Sequence, residues 1–235
     1  NLGHDIVNHC VNDILPSGAK PFMFLDYLAF SEIAEEKVLD VVRGISEACN
    51  SLDCILAGGE TAQMPDIYKK GDIEVVGFIL GIVEKEKIPK INDIKEGDIV
   101  VGIPSNGLHT NGYSLVREIF DFDKNEREMD ITVPGTKNSL GEMLTRPHRN
   151  YYHSLWESLD KFKSIAHITG GGIGENVSRS IPDNVKIEID SRSWETPKLF
   201  NYIKDRGGIC LEEMFKVFNM GIGMIIIVEP RFQDI

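Results

Sequence analysis

Three glycine-punctuated segments constrain this chain most: Leu56-Ala57-Gly58-Gly59-Glu60-Thr61, Ser105-Asn106-Gly107-Leu108-His109-Thr110-Asn111-Gly112 and His167-Ile168-Thr169-Gly170-Gly171-Gly172. Each follows a short apolar run and leads into polar, turn-forming or helical sequence. Glycine lets a backbone turn sharply and bare its N–H groups, and a helix start adds partial positive charge. Loops of this kind at strand ends suit phosphate oxygens. The pattern predicts an α/β enzyme acting on phosphorylated small molecules, with the glycine loops converging on a shared cavity.

Periodicity supplies the frame. Ile6, Val7, Cys10, Val11, Ile14 and Leu15 recur at helical spacing until Pro16 and Gly18, and the same helix carries Asp5, His9 and Asp13 as one polar stripe. Residues 22–25 read as a buried strand, 32–52 as an amphipathic helix with acids in its first turn, and 54–57 and 75–83 as strands. The charged stretch 84–97 lacks periodicity and is the best boundary, which gives domains over residues 1–88 and 89–235. Beyond it, 98–103 predicts a strand, 113–120 a helix, 121–141 an exposed connection, 151–162 a helix and 165–168 a strand. Residues 185–190 alternate as a half-exposed strand does. Helices over 197–206 and 212–218 and a buried strand over 222–228 close the second domain. The fold class is mixed α/β, with two domains that each hold a mixed sheet and flanking helices.

A chain of 235 residues with 42% apolar composition can bury a sizeable core. Its net charge of −12 excludes a surface built to lie along nucleic acid, which needs clustered cations. The longest apolar run is too short to span a bilayer. Cys10, Cys49, Cys54 and Cys210 form no Cys-x-x-Cys pair and read as reduced core thiols of a cytosolic protein. The sequence starts at Asn1, already within a helical pattern, and reads as a piece of something longer.

The loops carry the candidate chemistry. Glu60 and Thr61, directly after Gly58 and Gly59, suit a magnesium ion or a substrate amide; the plain alternative is a turn. Asp13 opposes the helix dipole near a carboxyl terminus, so a metal-bound phosphate, a cationic partner or His9 should compensate it. His109 has a free pKa near neutrality and suits proton or hydrogen-bond donation to a leaving phosphate. Thr169, Gly170 and Gly171 form an oxygen-binding nest ahead of Gly174-Glu175-Asn176. Neither the Gly-x-x-x-x-Gly-Lys-Ser/Thr loop nor the dinucleotide fingerprint is present, which disfavours the usual kinases.

Taken together, Val11-Asn12-Asp13-Ile14, Phe24-Leu25-Asp26-Tyr27, Gly58-Gly59-Glu60-Thr61-Ala62-x-Met64-Pro65, the segment from Ser105 through Gly112 to Val116, and His167-Ile168-Thr169-Gly170-Gly171-Gly172 closely resemble the phosphoribosylformylglycinamidine cyclo-ligase family. The resemblance runs through essentially the whole chain. It implies ATP-dependent closure of formylglycinamidine ribonucleotide to aminoimidazole ribonucleotide in purine biosynthesis, with ATP and Mg2+ as cofactors. It implies a cytoplasmic homodimer paired through amino-terminal sheets, acting on a phosphoribosyl amidine without nucleic acid or membrane partners. Residue by residue, it implies His109 and Asp13 as catalytic groups and Asp13 and Glu60 as metal ligands. Asn12, Gly58, Gly59, Glu60, Thr61, Ser105, Asn106, Asn111, Thr169, Gly170 and Gly171 would hold ATP or substrate. Two departures stand out: the family's upstream glycine-rich nucleotide loop and Asp-Gly-Val-Gly-Thr-Lys strand are absent, and Pro147-His148-Arg149-Asn150-Tyr151 replaces Pro-Thr-Arg-Ile-Tyr. Arg149 still matches, facing a phosphate or solvent. The competing expectations are another ATP-dependent member of the superfamily (selenophosphate synthetase, thiamine monophosphate kinase or formylglycinamidine ribonucleotide synthetase) and a non-catalytic dimerisation fragment.

Overall fold

Helical spacing near the start winds into α1 (Leu2–Ile14), which buries Val7 and Val11. Pro16 sits in a 3-10 turn, Leu15–Ser17, and Gly18 ends it in left-handed backbone at φ 73°, which glycine adopts without strain. The computed structural model describes residues 1–232, and its chain then runs through β1 (Lys20–Phe30), α2 (Glu35–Ser51), β2 (Ile55–Gln63) and β3 (Ile73–Ile82). Glu35 and Glu36 in the first turn of α2 complement the positive end of its dipole, while Val41, Ile45, Ala48 and Cys49 face the core. The sheet order is β2-β1-β3, with β1 parallel to β2 and antiparallel to β3.

The two faces of this sheet differ. Phe24 and Leu28 are wholly buried and register with Ile79 and Val75, with Asp26 opposite Gly77 between them. A Cβ on Gly77 would come within 2.8 Å of Ile6 and 3.0 Å of Cys10, so α1 packs on this side. Gly3 lets α1 approach α2 closely, because a Cβ there would lie 2.2 Å from the Val41 carbonyl oxygen. The opposite face carries Met23, Leu25 and Tyr27 beside Leu80, Phe78 and Val76. There Phe78 is 61% exposed and Ile55 52%.

The first glycine segment is strand, which corrects the expected loop. β2 runs straight through Gly58-Gly59-Glu60-Thr61, pairing Gly59 with Asp26 and Glu60 with Tyr27, after a register shift opposite Phe24/Leu25. Gly58, at φ 142°, supplies the irregular backbone at that shift. Gly59 supplies room, since a Cβ there would sit 2.5 Å from both the carboxyl carbon and the carbonyl oxygen of Asp26.

The contacts divide the chain into two units, Asn1–Ile88 with Pro147–Ser154, and Pro89–Arg146 with the chain from Leu155 onward. The second unit contains β4 (Ile99–Pro104), α3 (Tyr113–Phe120) and α4 (Leu140–Leu144), the last capped by a reciprocal Ser139–Glu142 box. After the return to the first unit comes the single turn α5 (Tyr152–Leu155), then β5 (Phe162–His167), α6 (Gly172–Ser178), α7 (Lys198–Gly207), α8 (Leu211–Val217) and β6 (Ile222–Val228). The sheet order is β4-β6-β5, every pairing is antiparallel, and the central β6 is buried throughout.

Three segments fold differently from their sequence pattern. Residues 121–141 are not a simple exposed connection, because Val133 and Leu140 are fully buried in one cluster with Leu199, Phe200 and Phe218. The helix expected over 151–162 is α5 followed by a 3-10 stretch, Trp156–Lys161. Residues 185–190 alternate but form no strand; Ile187 packs on a core cluster while the backbone has no ladder partner. Alternation specifies the two sides of an extended chain and does not itself supply a neighbouring strand.

Candidate functional site

In the first unit, one face of α1 is laced to the segment 147–154. Asp5 Oδ1 accepts the His148 N–H at 2.6 Å, Asn8 Nδ2 donates to the His148 carbonyl at 2.8 Å, and Asn150 Nδ2 donates to Asn8 Oδ1 at 2.9 Å. Asn12 is fully buried; its Nδ2 donates to the Arg149 carbonyl at 2.8 Å and its Oδ1 accepts the Tyr151 N–H at 3.0 Å. Burial raises the Asp5 carboxyl pKa, and the bond from the His148 N–H works against that rise. The hydrogen bonds described here come from Asp5, Asn8 and Asn12, whereas the expected stripe was Asp5, His9 and Asp13. The His9 ring stands edge-on to that of His148, 5.4 Å between centroids, and its Nε2 lies 3.2 Å from Asp13 Oδ2, with the Asp13 side chain about half exposed.

Asp13 and Glu60 belong to opposite sides of the sheet. Helix α1 covers the Gly77 side, while Glu60 is level with Tyr27 and Val76 on the other, where its Oε1 accepts the Thr61 N–H at 2.9 Å. The two carboxylates, both expected as metal ligands, are thus set on opposite sides of the sheet within one chain.

In the second unit, the loop 105–112 leaves β4 and enters α3. The Ser105 N–H donates to the Gly221 carbonyl at 2.8 Å, and Ser105 Oγ donates to Asn219 Oδ1 at 3.0 Å. Asn219 Nδ2 donates to the Gly107 carbonyl at 2.9 Å. Asn106 follows Ser105 half-buried, and His109 is 3% exposed with φ 62°. That left-handed conformation costs a non-glycine residue roughly 1–3 kcal/mol, a strain that clusters at functional sites. The Tyr113 hydroxyl fixes the loop from below, 3.0 Å from the His109 carbonyl and 2.6 Å from that of Leu144. Gly112, at φ 83°, admits no side chain, because a Cβ would lie 2.2 Å from the Phe218 ring.

The loop 167–172 meets this one. A Cβ built on Gly170 would lie 3.5 Å from Asn111 Oδ1, and Asn111 Nδ2 is buried without a hydrogen-bond acceptor. Gly171 and Gly172 take φ 92° and 65°, with Gly172 pressed against the Phe215 carbonyl so closely that a Cβ would come to 1.8 Å. Thr169 and Gly170 are held by the buried Asn176. Ser105, Asn106, His109, Asn111, Thr169, Gly170 and Gly171 thus lie on two touching loops of one unit, while Asn12, Asp13, Gly58, Gly59, Glu60 and Thr61 lie in the other. Asn219 gave no signal as a site residue beyond its place just before Met220-Gly221 at the start of β6.

Residues 1–83 match the family pattern of the AIR synthase related protein, N-terminal domain, and residues 95–235 that of its C-terminal domain. A phosphoribosylformylglycinamidine cyclo-ligase of Thermoanaerobacter pseudethanolicus is 45% identical over 235 residues, covering 99% of this chain and 69% of that protein. This chain belongs to the phosphoribosylformylglycinamidine cyclo-ligase family. A second relative of that name, from Neisseria meningitidis, is 44% identical over 99% of the chain and 67% of its own length. Among solved structures, thiamine monophosphate kinase from Aquifex aeolicus aligns with 100% of the chain and 76% of its own at a TM-score of 0.65 and 17% identity. E. coli HypE, a hydrogenase maturation protein, aligns with 98% and 66% at 0.68 and 18%. At such identities the likeness concerns the fold. Among the described residues, no helix is long and apolar enough to cross a membrane.

Proposed function

We propose that this chain performs the ATP-dependent ring closure of formylglycinamidine ribonucleotide to aminoimidazole ribonucleotide, releasing ADP and phosphate, in the cytoplasm as a step of de novo purine biosynthesis. The observation that carries the reading is 45% identity sustained over 235 residues to a protein named for this activity. Two solved relatives support the use of ATP: a thiamine monophosphate kinase complexed with AMPPCP and TMP, and HypE in complex with ATP.

The chemistry asks for three things. The formyl oxygen is a poor leaving group, so its phosphorylation by ATP gives an iminophosphate; an internal nitrogen then attacks the activated carbon and phosphate departs as the five-membered ring closes. Holding nitrogen and carbon together makes the attack intramolecular and strongly favoured. Donors fixed around the phosphoryl group stabilise charge as it moves. In this reading the loop N–H groups of Gly170 and Gly171 hold anionic oxygen, the unsatisfied Asn111 Nδ2 donates to a substrate oxygen, and His109 gives a proton or hydrogen bond to the departing phosphate. Magnesium, proposed as the companion of ATP, would be held by carboxylates such as Asp13 or Glu60 and would supply positive charge against the phosphoryl oxygens. The apolar face of Met23, Leu25, Val76, Phe78 and Leu80, on which Val76, Phe78 and Leu80 are exposed, supports pairing of two copies through this sheet.

The test is turnover of ATP and formylglycinamidine ribonucleotide by this protein, followed as ADP and as the diazotisable amine of the product. His109→Asn tolerates left-handed backbone and should lower kcat about 100-fold, within the range for a lost general acid. Unchanged turnover in His109→Asn and His109→Ala removes His109 from the mechanism. A wild-type protein that forms neither product refutes the proposed activity.

A further inference from the structure

Two buried carboxamides lie under the two glycine loops, and each spends its hydrogen-bonding capacity on its loop. Asn219 is 3% exposed; its Oδ1 accepts from Ser105 Oγ at 3.0 Å and from the Gly221 N–H at 2.9 Å, while its Nδ2 donates to the Gly107 carbonyl at 2.9 Å. Asn176 is 7% exposed; its Nδ2 faces the carbonyls of Thr169, Gly170 and Gly172 at 3.3, 3.1 and 2.8 Å, and its Oδ1 accepts from Thr169 Oγ1 at 3.2 Å. These partners sit far apart in sequence for Asn219, at separations of 114 and 112 residues for Ser105 and Gly107.

We propose that Asn176 and Asn219 are positioning residues of the ring-closing reaction: they hold the carbonyls of Thr169, Gly170 and Gly172 in one loop and of Gly107 in the other inward, leaving loop N–H groups as the polar groups that meet an anion. The inference rests on the proposed reading that these loops hold the reacting ligands. A carboxamide is the side chain the arrangement requires, since it offers two donors and an acceptor in one plane. A carboxylate would place negative charge against three carbonyl oxygens at Asn176, and an aliphatic side chain would leave those carbonyls buried without donors, which is costly. The loops touch at Asn111 and Gly170, so a slack loop on either side misplaces the other. Misplacement by about 1 Å is enough to cost roughly 100-fold in rate.

The test uses the whole protein with Asn176→Ser and Asn219→Ser, whose side chains are too short to reach, and Asn176→Asp and Asn219→Asp as second variants that keep the volume and one acceptor. The first readout is hydrogen exchange without ligand at the amides of Ser105, Gly172 and Gly221, all hydrogen-bonded in the wild type. The second is kcat and KM by product formation. We expect exchange to rise locally while strand amides stay protected, with kcat falling about 100-fold and more than KM rises. Wild-type amides exchanging without protection, or variant amides exchanging as slowly as wild type, overturn the clamp without reference to activity. Loosened loops with unchanged kcat and KM overturn the positioning role while leaving the activity intact. A wild type that turns nothing over overturns the functional reading and the positioning role together, and the exchange result then reports on the loops alone.

Discussion

Asp98→Asn should destabilise the second unit by about 3–5 kcal/mol, because it strips a buried ammonium of its countercharge. Ile99 and Phe162 both register with Val228, so the two edge strands deliver Asp98 and Lys163 to the same end of β6. There Lys163 Nζ donates to both carboxylate oxygens, at 2.9 and 2.8 Å, and the side chains are only 3% (Asp98) and 12% (Lys163) exposed. At an effective dielectric of about 20 the attraction is roughly 6 kcal/mol, and desolvation of the two ions offsets most of it. The intact pair therefore adds little net stability, whereas the half-pair is costly. Both tryptophans, Trp156 and Trp194, belong to the second unit, so intrinsic fluorescence in urea reports on it. With a slope of about 2 kcal/mol per molar, the midpoint should drop by about 2 M. Adding Lys163→Met should recover more than half of the loss, since it removes the orphaned charge. Burial alone would raise the Asp98 pKa, but the hydrogen bonds from Lys163 and Lys95 and their charges outweigh it and hold the carboxyl below its ordinary value. A depressed folded pKa contributes stability above the unfolded carboxylate range and loses it as pH falls through the folded value, so the gap between wild type and Asp98→Asn should close below about pH 4. A midpoint drop under about 0.5 M, or a gap that widens on acidification, refutes the reasoning.

Three further outcomes follow from the packing. Gly172→Ala, at φ 65° and with its Cβ 1.8 Å from the Phe215 carbonyl, should cost at least about 3 kcal/mol and lower the melting temperature; an unchanged melt would mean that the loop is free to move aside. Burial first of all pushes the Cys10 and Cys49 thiols up to about 12 and raises Cys54 as well, so iodoacetamide at pH 8 should label the exposed Cys210 and reach the other three only in denaturant, as read by intact mass. Phe78→Lys places a charge in the open apolar face, 61% exposed in the single chain, and should shift sedimentation from dimer to monomer; a wild type that is monomeric at micromolar concentration removes the proposed pairing.

What the sequence disclosed depends on how many partners a residue needs. Helix α2 and strand β6 were readable because burial of Val41, Ile45 and Ala48, or of every residue from Ile222 to Val228, is written in each residue's own apolarity and spacing. Gly58 and Gly59 were misplaced as a loop because a glycine that relieves a strand bulge or admits Asp26 has the same letter as one that lines a phosphate. Residues 185–190 show the same limit, for their alternation was real and the strand they imply needed a neighbour they lack. Asn12 shows it most sharply. Its motif marks it as a ligand contact, yet its carboxamide is taken up by Arg149 and Tyr151, 137 and 139 residues away. A buried amide must find partners wherever the fold supplies them, and losing them leaves donors and acceptors stranded at a cost of about 1–3 kcal/mol each. An asparagine within a recognisable motif therefore identifies a site without saying on which side of the loop it acts, and only the direction of its hydrogen bonds separates the clamp from the contact.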